Sequence, residues 1–531
     1  MSGKEARTRE VPRGDLEGLK RYWKEDLLSG FLVFLIAMPL CLGIALASGF
    51  PASAGIITAV VGGLLCGFIS NSELTIKGPA AGLIVIVLGC VTEFGFTSGA
   101  DPSADLLAYR MTLGVCVVAG VVQILVGLFR AGTLGEFFPT AAVHGLLAAI
   151  GVIIFLKQFP VMLGLDGAGE PRELILELPH FITHLNPIVT AVGAGSLAIL
   201  FLHRFLPGRL KSIPGPLMVL IVAVPAGLLL GINEEGTYEF AGAAFALGPE
   251  FLVQVPLQIA NAIAFPDFSG VATSTGATYL VLFVVIGSLE SLISAKAIDA
   301  IDPWRRKTNY DRDLTAVGVG NTVAALLGGL PMISEIVRSR ANIDNGGRTR
   351  FANAFHGMFL LVLIAAVPGL LNLIPLAALA ALLVYVGLRL ASPAEFKHMY
   401  EQGLGTFVVF LSTIIGVLVT DLLIGIAIGI AVQALVHLIR GVPASALVSL
   451  GAKVEREDDA NARVSVPKAA VFSTWIPLRK QLLGLAGTER VVVDLTETKL
   501  VDKTVRAGLY ELERDLEREG TTLVVELPPG S

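Results

Sequence analysis

Charge is scarce in this chain: 16% of its 531 residues are Asp, Glu, Lys or Arg, against 54% that are hydrophobic. That balance does not suit a soluble globule. Cysteine is scarcer still. Cys41, Cys66, Cys90 and Cys116 each sit within an apolar stretch and lack C-x-x-C spacing, which excludes a disulfide framework or a zinc centre built on them. They read as small core hydrophobes. The first 25 residues contain no apolar core followed by a small-residue cleavage site, so no signal peptide is expected. No internal repeat is visible residue by residue. No nucleophile–base arrangement or metal cluster stands out, which argues against an enzyme, and nothing indicates a nucleic-acid partner. The net charge of −5 says little, because charge is sorted by loop rather than spread along the chain.

Apolar length is what the chain has instead. Mean hydropathy is +0.75, and many runs reach the roughly 20 residues that cross a hydrocarbon core. A polytopic all-α membrane protein follows. Helices are expected near residues 27–49, 51–70, 79–96, 107–130, 137–160, 186–206, 213–232, 272–298, 312–328, 332–341, 350–372, 375–391, 405–420 and 421–440. One set of loops is basic: Arg204, Arg209 and Lys211; Arg305, Arg306, Lys307 and Arg312; Arg340, Arg348 and Arg350; Arg389 and Lys397. By the positive-inside rule these are cytoplasmic. The alternating loops carry Asp101, Asp105, Asp166, Glu170, Glu173, Glu177, Glu234, Glu235 and Glu239 and face outward. Both termini then lie inside a cell (inner) membrane. Roughly seven spans per half, an odd number, make the second half insert upside down, so a 7+7 inverted repeat is expected.

The expected domains are a cytoplasmic segment 1–26, a transmembrane domain 27–440, a linker 441–462 and a small cytoplasmic α/β domain 463–531. In that last domain Val491-Val492-Val493-Asp494 reads as a strand, Thr504–Glu519 as an amphipathic helix and Thr522-Leu523-Val524-Val525-Glu526 as a second strand. So short a unit builds little core unless it packs on the membrane part or on a second copy.

Two membrane-length segments are broken by glycine and proline, at Gly78-Pro79-Ala80-Ala81-Gly82 and at Leu330-Pro331-Met332-Ile333-Ser334-Glu335. Each is third among the apolar stretches of its half. A helix that starts partway through a bilayer points unpaired N–H groups and the positive end of its dipole inward, where a small anion fits. The site residues expected to bind the anion are Lys77, Gly78, Ala80, Ala81, Gly82, Ser334, Glu335, Ile336 and Arg338, with Lys77 as fixed positive charge. Glu290 interrupts an apolar span, and Ser294 lies one helical turn on, so the pair suits a sodium ion or, at Glu290, a proton. Glu335 in the first turn of the second broken helix repels an anion unless Arg338, Lys77, a cation or a proton offsets it. Coupling then follows from affinity that differs between charge states. His144, His356 and His437 share no spacing and read as packing residues.

Several stretches together resemble the sulfate permease (SulP) family of anion transporters. They are Ala37-Met38-Pro39-Leu40-Cys41-Leu42-Gly43-Ile44-Ala45, Lys77-Gly78-Pro79-Ala80-Ala81-Gly82, Gly318-Val319-Gly320-Asn321 through Leu330-Pro331, Arg338-Ser339-Arg340-Ala341-Asn342 and Gly346-Gly347-Arg348-Thr349. The resemblance implies core and gate domains, a C-terminal STAS domain, a homodimer, and substrates such as sulfate, bicarbonate or chloride. In the sodium-dependent bicarbonate branch a carboxylate and a hydroxyl on the eighth span bind sodium with the start of the tenth, positions that match Glu290, Ser294, Ser334, Glu335 and Ile336. This chain departs from that branch in having Glu rather than Asp at 290, a lysine at 77 and an acid at 335. Val501-Asp502-Lys503-Thr504 falls where phosphorylatable STAS domains carry Asp-Ser-Ser, which makes Thr504 the matching, possible regulatory hydroxyl.

The function expected is secondary active symport of a small inorganic anion, bicarbonate or sulfate, with Na+ or H+ as coupling ion and no other cofactor, by an elevator-like or rocking movement. An anion-sensing receptor signalling through the C-terminal domain, and a nucleobase carrier of the same fold, are the alternatives.

Overall fold

The computed structural model describes residues 11–528 except 131–137, 168, 208–212, 257, 457, 459 and 519. Arg209 and Lys211 of the expected basic loop, the first ten residues of the expected 1–26 segment, and the last three of the expected C-terminal domain lie outside the described residues.

The membrane part is helical. Its elements are α1 (Leu16–Ala47), α2 (Ala52–Ile69), strand β1 (Ile76–Pro79), α3 (Ala81–Glu93), α4 (Pro102–Leu128), α5 (Thr140–Met162), α6 (Pro171–Thr183), α7 (Pro187–Phe205) and α8 (Gly215–Leu229). After a hairpin of β2 (Gly236–Phe240) and β3 (Ala243–Leu247) come α9 (Ser274–Ile301), α10 (Tyr310–Leu326), β4 (Met332–Glu335), α11 (Ile336–Asp344), α12 (Phe351–Ala366), α13 (Leu376–Leu390), α14 (Pro393–Glu401), α15 (Leu404–Val419) and α16 (Leu422–Ile439). Among the described residues, eight helical stretches are long and apolar enough to cross a membrane, α13 and α14 together making one of them, and α3, α8, α12 and α15 are shorter apolar helices.

Two differences from the expected spans have local causes. Helix α1 begins well before residue 27 because Asp15 caps it, its Oδ1 accepting from the Gly18 N–H at 2.8 Å. Polar first turns are helical too, although apolar length does not announce them. The segment expected as one helix over 332–341 opens as strand β4, because its backbone finds a partner strand before the helix starts.

The described residues form two compact units, one of residues up to 132 together with 150–389, the other of 133–149 with 390 onward. In the first, Ala37, Cys41, Leu42, Ile56, Ala59, Leu379 and Leu382 are part of one buried cluster from α1, α2 and α13. Helices α4 and α10 pack backbone to backbone: a Cβ on Gly120 would stand 2.7 Å from the Thr322 nitrogen, and one on Gly318 would stand 2.6 Å from the Ile124 nitrogen. Small residues at both positions permit that approach.

The second unit includes α15, α16, the short helix α17 (Ala444–Val448) and a four-stranded sheet, β5 (Lys453–Arg456), β6 (Asn461–Ser465), β7 (Arg490–Asp494) and β8 (Thr522–Glu526), in that spatial order. Strand β5 runs antiparallel to β6, and the other pairs are parallel. Parallel neighbours need crossovers, supplied here by α18 (Phe472–Leu483) and α19 (Lys503–Arg518). The stretch 441–462, expected as linker, therefore holds a helix, a strand and the start of another. The expected small core is larger than strand, helix and strand alone allow: α19 buries Val505, Leu509, Leu512 and Leu516 at helical spacing against Trp475, Leu478, Val464, Val491 and Val493.

Candidate functional site

The two broken segments meet. Strand β1 pairs antiparallel with β4 in the register Ile76–Glu335, Lys77–Ser334, Gly78–Ile333 and Pro79–Met332. In an apolar interior without water, each strand satisfies backbone groups that helix would otherwise satisfy. Helices α3 and α11 then leave from opposite ends of the ribbon. Their N-caps, Ala80 and Glu335, are extended, and neither helix has a side-chain cap. Both positive helix ends therefore point back at the ribbon with their first-turn amides uncapped by side chains.

The ribbon carries a buried ion pair. Lys77, 1% exposed, donates from Nζ to Asp313 Oδ1 at 2.6 Å and to Ser334 Oγ at 2.5 Å. Asp313 also accepts from Ser70 Oγ at 2.5 Å and from Ser334 Oγ at 3.0 Å. The sequence leads one to expect Lys77 as fixed positive charge for the anion; in the structure its ammonium is ion-paired with Asp313 on α10. Asp313 was missed because an acid in a helix's first turn reads as a dipole partner.

Arg338 is a second buried cation at the ribbon. It is 1% exposed, its Nη2 donates to the Pro79 carbonyl at 3.2 Å, and its Nε and Nη1 have no hydrogen-bond partner. A Cβ on Gly78 would stand 2.3 Å from Nη1. The glycine admits the guanidinium against the ribbon. Gly82 does the same for Glu290: a Cβ there would stand 1.9 Å from Oε1. Glu290 is buried, and its Oε1 and that of Glu335 have no hydrogen-bond partner. Arg338 and Glu290 thus stand against the residues that lead into α3, and Glu335 lies at the other end of the ribbon, opposite Ile76.

The remaining expected residues divide. Ala80 is buried, whereas Ala81 and Gly82 are half-buried. Ile336 is 42% exposed and does not enclose the ribbon. Ser294 is buried on α9, yet the α9 hydroxyl that reaches the ribbon is Ser291: it accepts from the Ser334 N–H at 3.2 Å and donates to Ser334 Oγ at 3.3 Å. Ser291 follows Glu290 directly, and only the packing of α9 on β4 singles it out. Thr504 lies in the first turn of α19, its Oγ1 3.4 Å from that of Thr140. His356, fully buried, has neither ring nitrogen hydrogen-bonded, while His144 Nδ1 meets Glu395 Oε1 at 2.6 Å.

A profile described as the Sulfate permease family matches residues 23–413. The chain belongs to the sulfate permease family. As a member it is an anion transporter. The chain is 25% identical over 409 residues to the bicarbonate transporter BicA of Picosynechococcus sp., covering 77% of this chain and 69% of BicA. It is 24% identical over 510 residues to YbaR of Bacillus subtilis, covering 94% of this chain and 95% of YbaR. Among solved structures, the transmembrane domain of a cyanobacterial BicA superposes with a TM-score of 0.62 at 22% identity, over 77% of this chain and 98% of that one. Murine Solute Carrier 26 family member A9, an anion transporter in the inward-facing state, gives 0.67 at 15% identity over 95% and 86%. At such identities the likeness is one of fold. It places the broken-helix crossing within a sulfate permease architecture, and the particular charges at the crossing are read from this chain's own residues.

Proposed function

We propose that the protein is a secondary active transporter of a small inorganic oxyanion, bicarbonate or sulfate, carried with a proton or a sodium ion. The observation that carries the reading is the Arg338 guanidinium, buried with two unpartnered nitrogens at the β1–β4 crossing. An unpaired charge in an apolar domain is expensive and marks a ligand path. The anion sits between Arg338 and the first amides of α3, and planar guanidinium suits two oxygens of an oxyanion at once.

Charge balance supplies the coupling. With Lys77 cancelled by Asp313, the charges left around the crossing are those of Arg338, Glu290 and Glu335, so the site carries net −1 when both acids are ionised. An anion enters poorly against that charge. A cation at Glu290 restores neutrality and raises anion affinity, and by reciprocity the anion raises affinity for the cation. The geometry favours a proton: Ser291 is committed to Ser334, and Glu290 Oε1 has no hydrogen-bond partner among the described residues. One oxygen holds a proton, whereas Na+ needs a shell of oxygens. The protein works in the cell membrane with both termini cytoplasmic, as a homodimer.

The deciding experiment is uptake of labelled bicarbonate and sulfate into proteoliposomes with sodium and pH gradients imposed separately. An inward proton gradient should drive uptake in the parent and have no effect in Glu290→Gln. Uptake that follows sodium alone would replace the proton in this scheme, and gradient-driven uptake unchanged in the variant would remove Glu290 from it.

A further inference from the structure

The second unit contains a cavity of about 520 Å3 that the transport scheme does not use. Its walls are the ends of α5 and α16, both long enough to cross a membrane, the start of the shorter apolar α15, and the first two turns of α19. Three cations line it: Arg440 at the end of α16, and Lys503 and Arg506 on α19. None of the three has a carboxylate partner among the described residues. Lys503 donates to the backbone carbonyl of Gln402. Arg440 is seated by Gly405, where a Cβ would stand 2.6 Å from its Nη2.

The acid on this wall is already engaged. Asp502 accepts from the Val505 N–H at 2.8 Å through Oδ1 and from the Phe472 N–H at 2.5 Å through Oδ2, capping α19 rather than neutralising the cations. His437 also lines the cavity. It is 1% exposed, its Nε2 lies 2.7 Å from Gln433 Nε2 and 3.8 Å from Asp502 Oδ2, and its Nδ1 has no hydrogen-bond partner. Three cations and an imidazole whose Nδ1 has no hydrogen-bond partner surround the space, and among the described residues the one carboxylate lining it, that of Asp502, is bonded to backbone amides.

We propose that this cavity is a phosphate-binding site. Two guanidinium groups and an ammonium match the several acceptor oxygens of a phosphate, with bidentate contacts available from each arginine. The phosphate comes either from an anionic phospholipid headgroup or from a small soluble phosphate. The headgroup source is natural where membrane-length helices end, because basic groups at that level meet anionic lipid. The site is independent of Arg338 and of the transport scheme, and its ligand would tie α19 to the helix ends.

The test is isothermal titration of the full chain in neutral detergent with dihexanoyl phosphatidylglycerol, dihexanoyl phosphatidylcholine and inorganic phosphate in separate arms. Saturable binding of phosphatidylglycerol alone identifies a headgroup site, and binding of inorganic phosphate with equal affinity identifies a soluble one. In either case Arg440→Gln with Arg506→Gln should weaken binding roughly ten-fold or more, and the corresponding Lys pair should weaken it less. Lys503→Gln, with a melting midpoint recorded for every variant, covers loss of fold in the double variant. No binding of either anionic probe, equal binding of phosphatidylcholine, or folded Gln variants that bind as the parent does would each overturn the proposal.

Discussion

The Lys77 ammonium and the Asp313 carboxylate meet at 2.6 Å with 1% of each side chain exposed. The pair joins β1 to α10, and Ser334 on β4 bonds to both partners. Removing one partner leaves the other charge buried, a loss of about 3–5 kcal/mol. Asp313→Asn should therefore lower the thermal midpoint strongly, and Lys77→Met should do the same. The double variant Lys77→Met with Asp313→Leu should recover much of the difference, since apolar replacement of a buried pair is often nearly neutral. A double variant as unstable as the sum of the singles would show that the two charges do not act as a pair.

The glycines at 78 and 82 make a sharper prediction about function. In both cases the atom that an added Cβ meets is the end of a side chain, Arg338 Nη1 or Glu290 Oε1, rather than backbone. The side chain can move aside, so Gly78→Ala and Gly82→Ala should fold with little change in melting. Displacing the charge by about an ångström should nonetheless reduce anion uptake roughly ten- to a hundred-fold. Parent-level uptake in Gly78→Ala would mean that the position of the guanidinium does not matter for the anion.

Ser291 and Ser294 separate structure from coupling. Ser291→Ala leaves the buried Ser334 N–H without its acceptor, a loss on the order of 1–3 kcal/mol. It should lower both stability and uptake. Ser294→Ala should leave melting nearly unchanged and, with the proton rather than sodium as coupling ion, leave proton-driven uptake unchanged as well. Equal effects of the two substitutions in a paired melting and uptake assay would contradict the contact pattern of α9.

The spans, the broken pair and their joining were legible because they rest on apolar length and on Gly and Pro, signals that a single chain carries locally. What was not legible depends on partners distant in sequence. Asp313 lies more than 200 positions from Lys77, and nothing near either residue announces the other. Arg338 and Lys77 look alike in sequence, and only pairing distinguishes the neutralised charge from the open one. Gly78 and Gly82 stood out as openings in the backbone, but their occupants, Arg338 and Glu290, are set by packing. In the C-terminal unit, β5 and β6 are short and polar, and they become strands through the pairing of β6 with β7 rather than through their own pattern.

Asp502 gives a prediction outside the membrane spans. Burial pushes its carboxyl up to about 7, while N–H bonds from Val505, Phe472 and Thr504 pull the other way without prevailing. In the unfolded chain an aspartate titrates near 3.9. Between those values the folded state holds a proton that the unfolded state has lost, so stability falls as pH rises from about 4 to about 7 and is flat on either side. The slope from this one group is at most about 1.4 kcal/mol per pH unit. Arg440, Lys503, Arg506 and His437 line the same cavity and remain in a variant, so the informative quantity is the difference between the parent and Asp502→Asn. Melting midpoints of the full chain, taken from pH 4.5 to 8, should fall more steeply in the parent than in Asp502→Asn. The two curves should run parallel above pH 8. A parent curve that instead rises relative to the variant through this window would mean that Asp502 is held ionised in the fold, with its N–H partners outweighing burial.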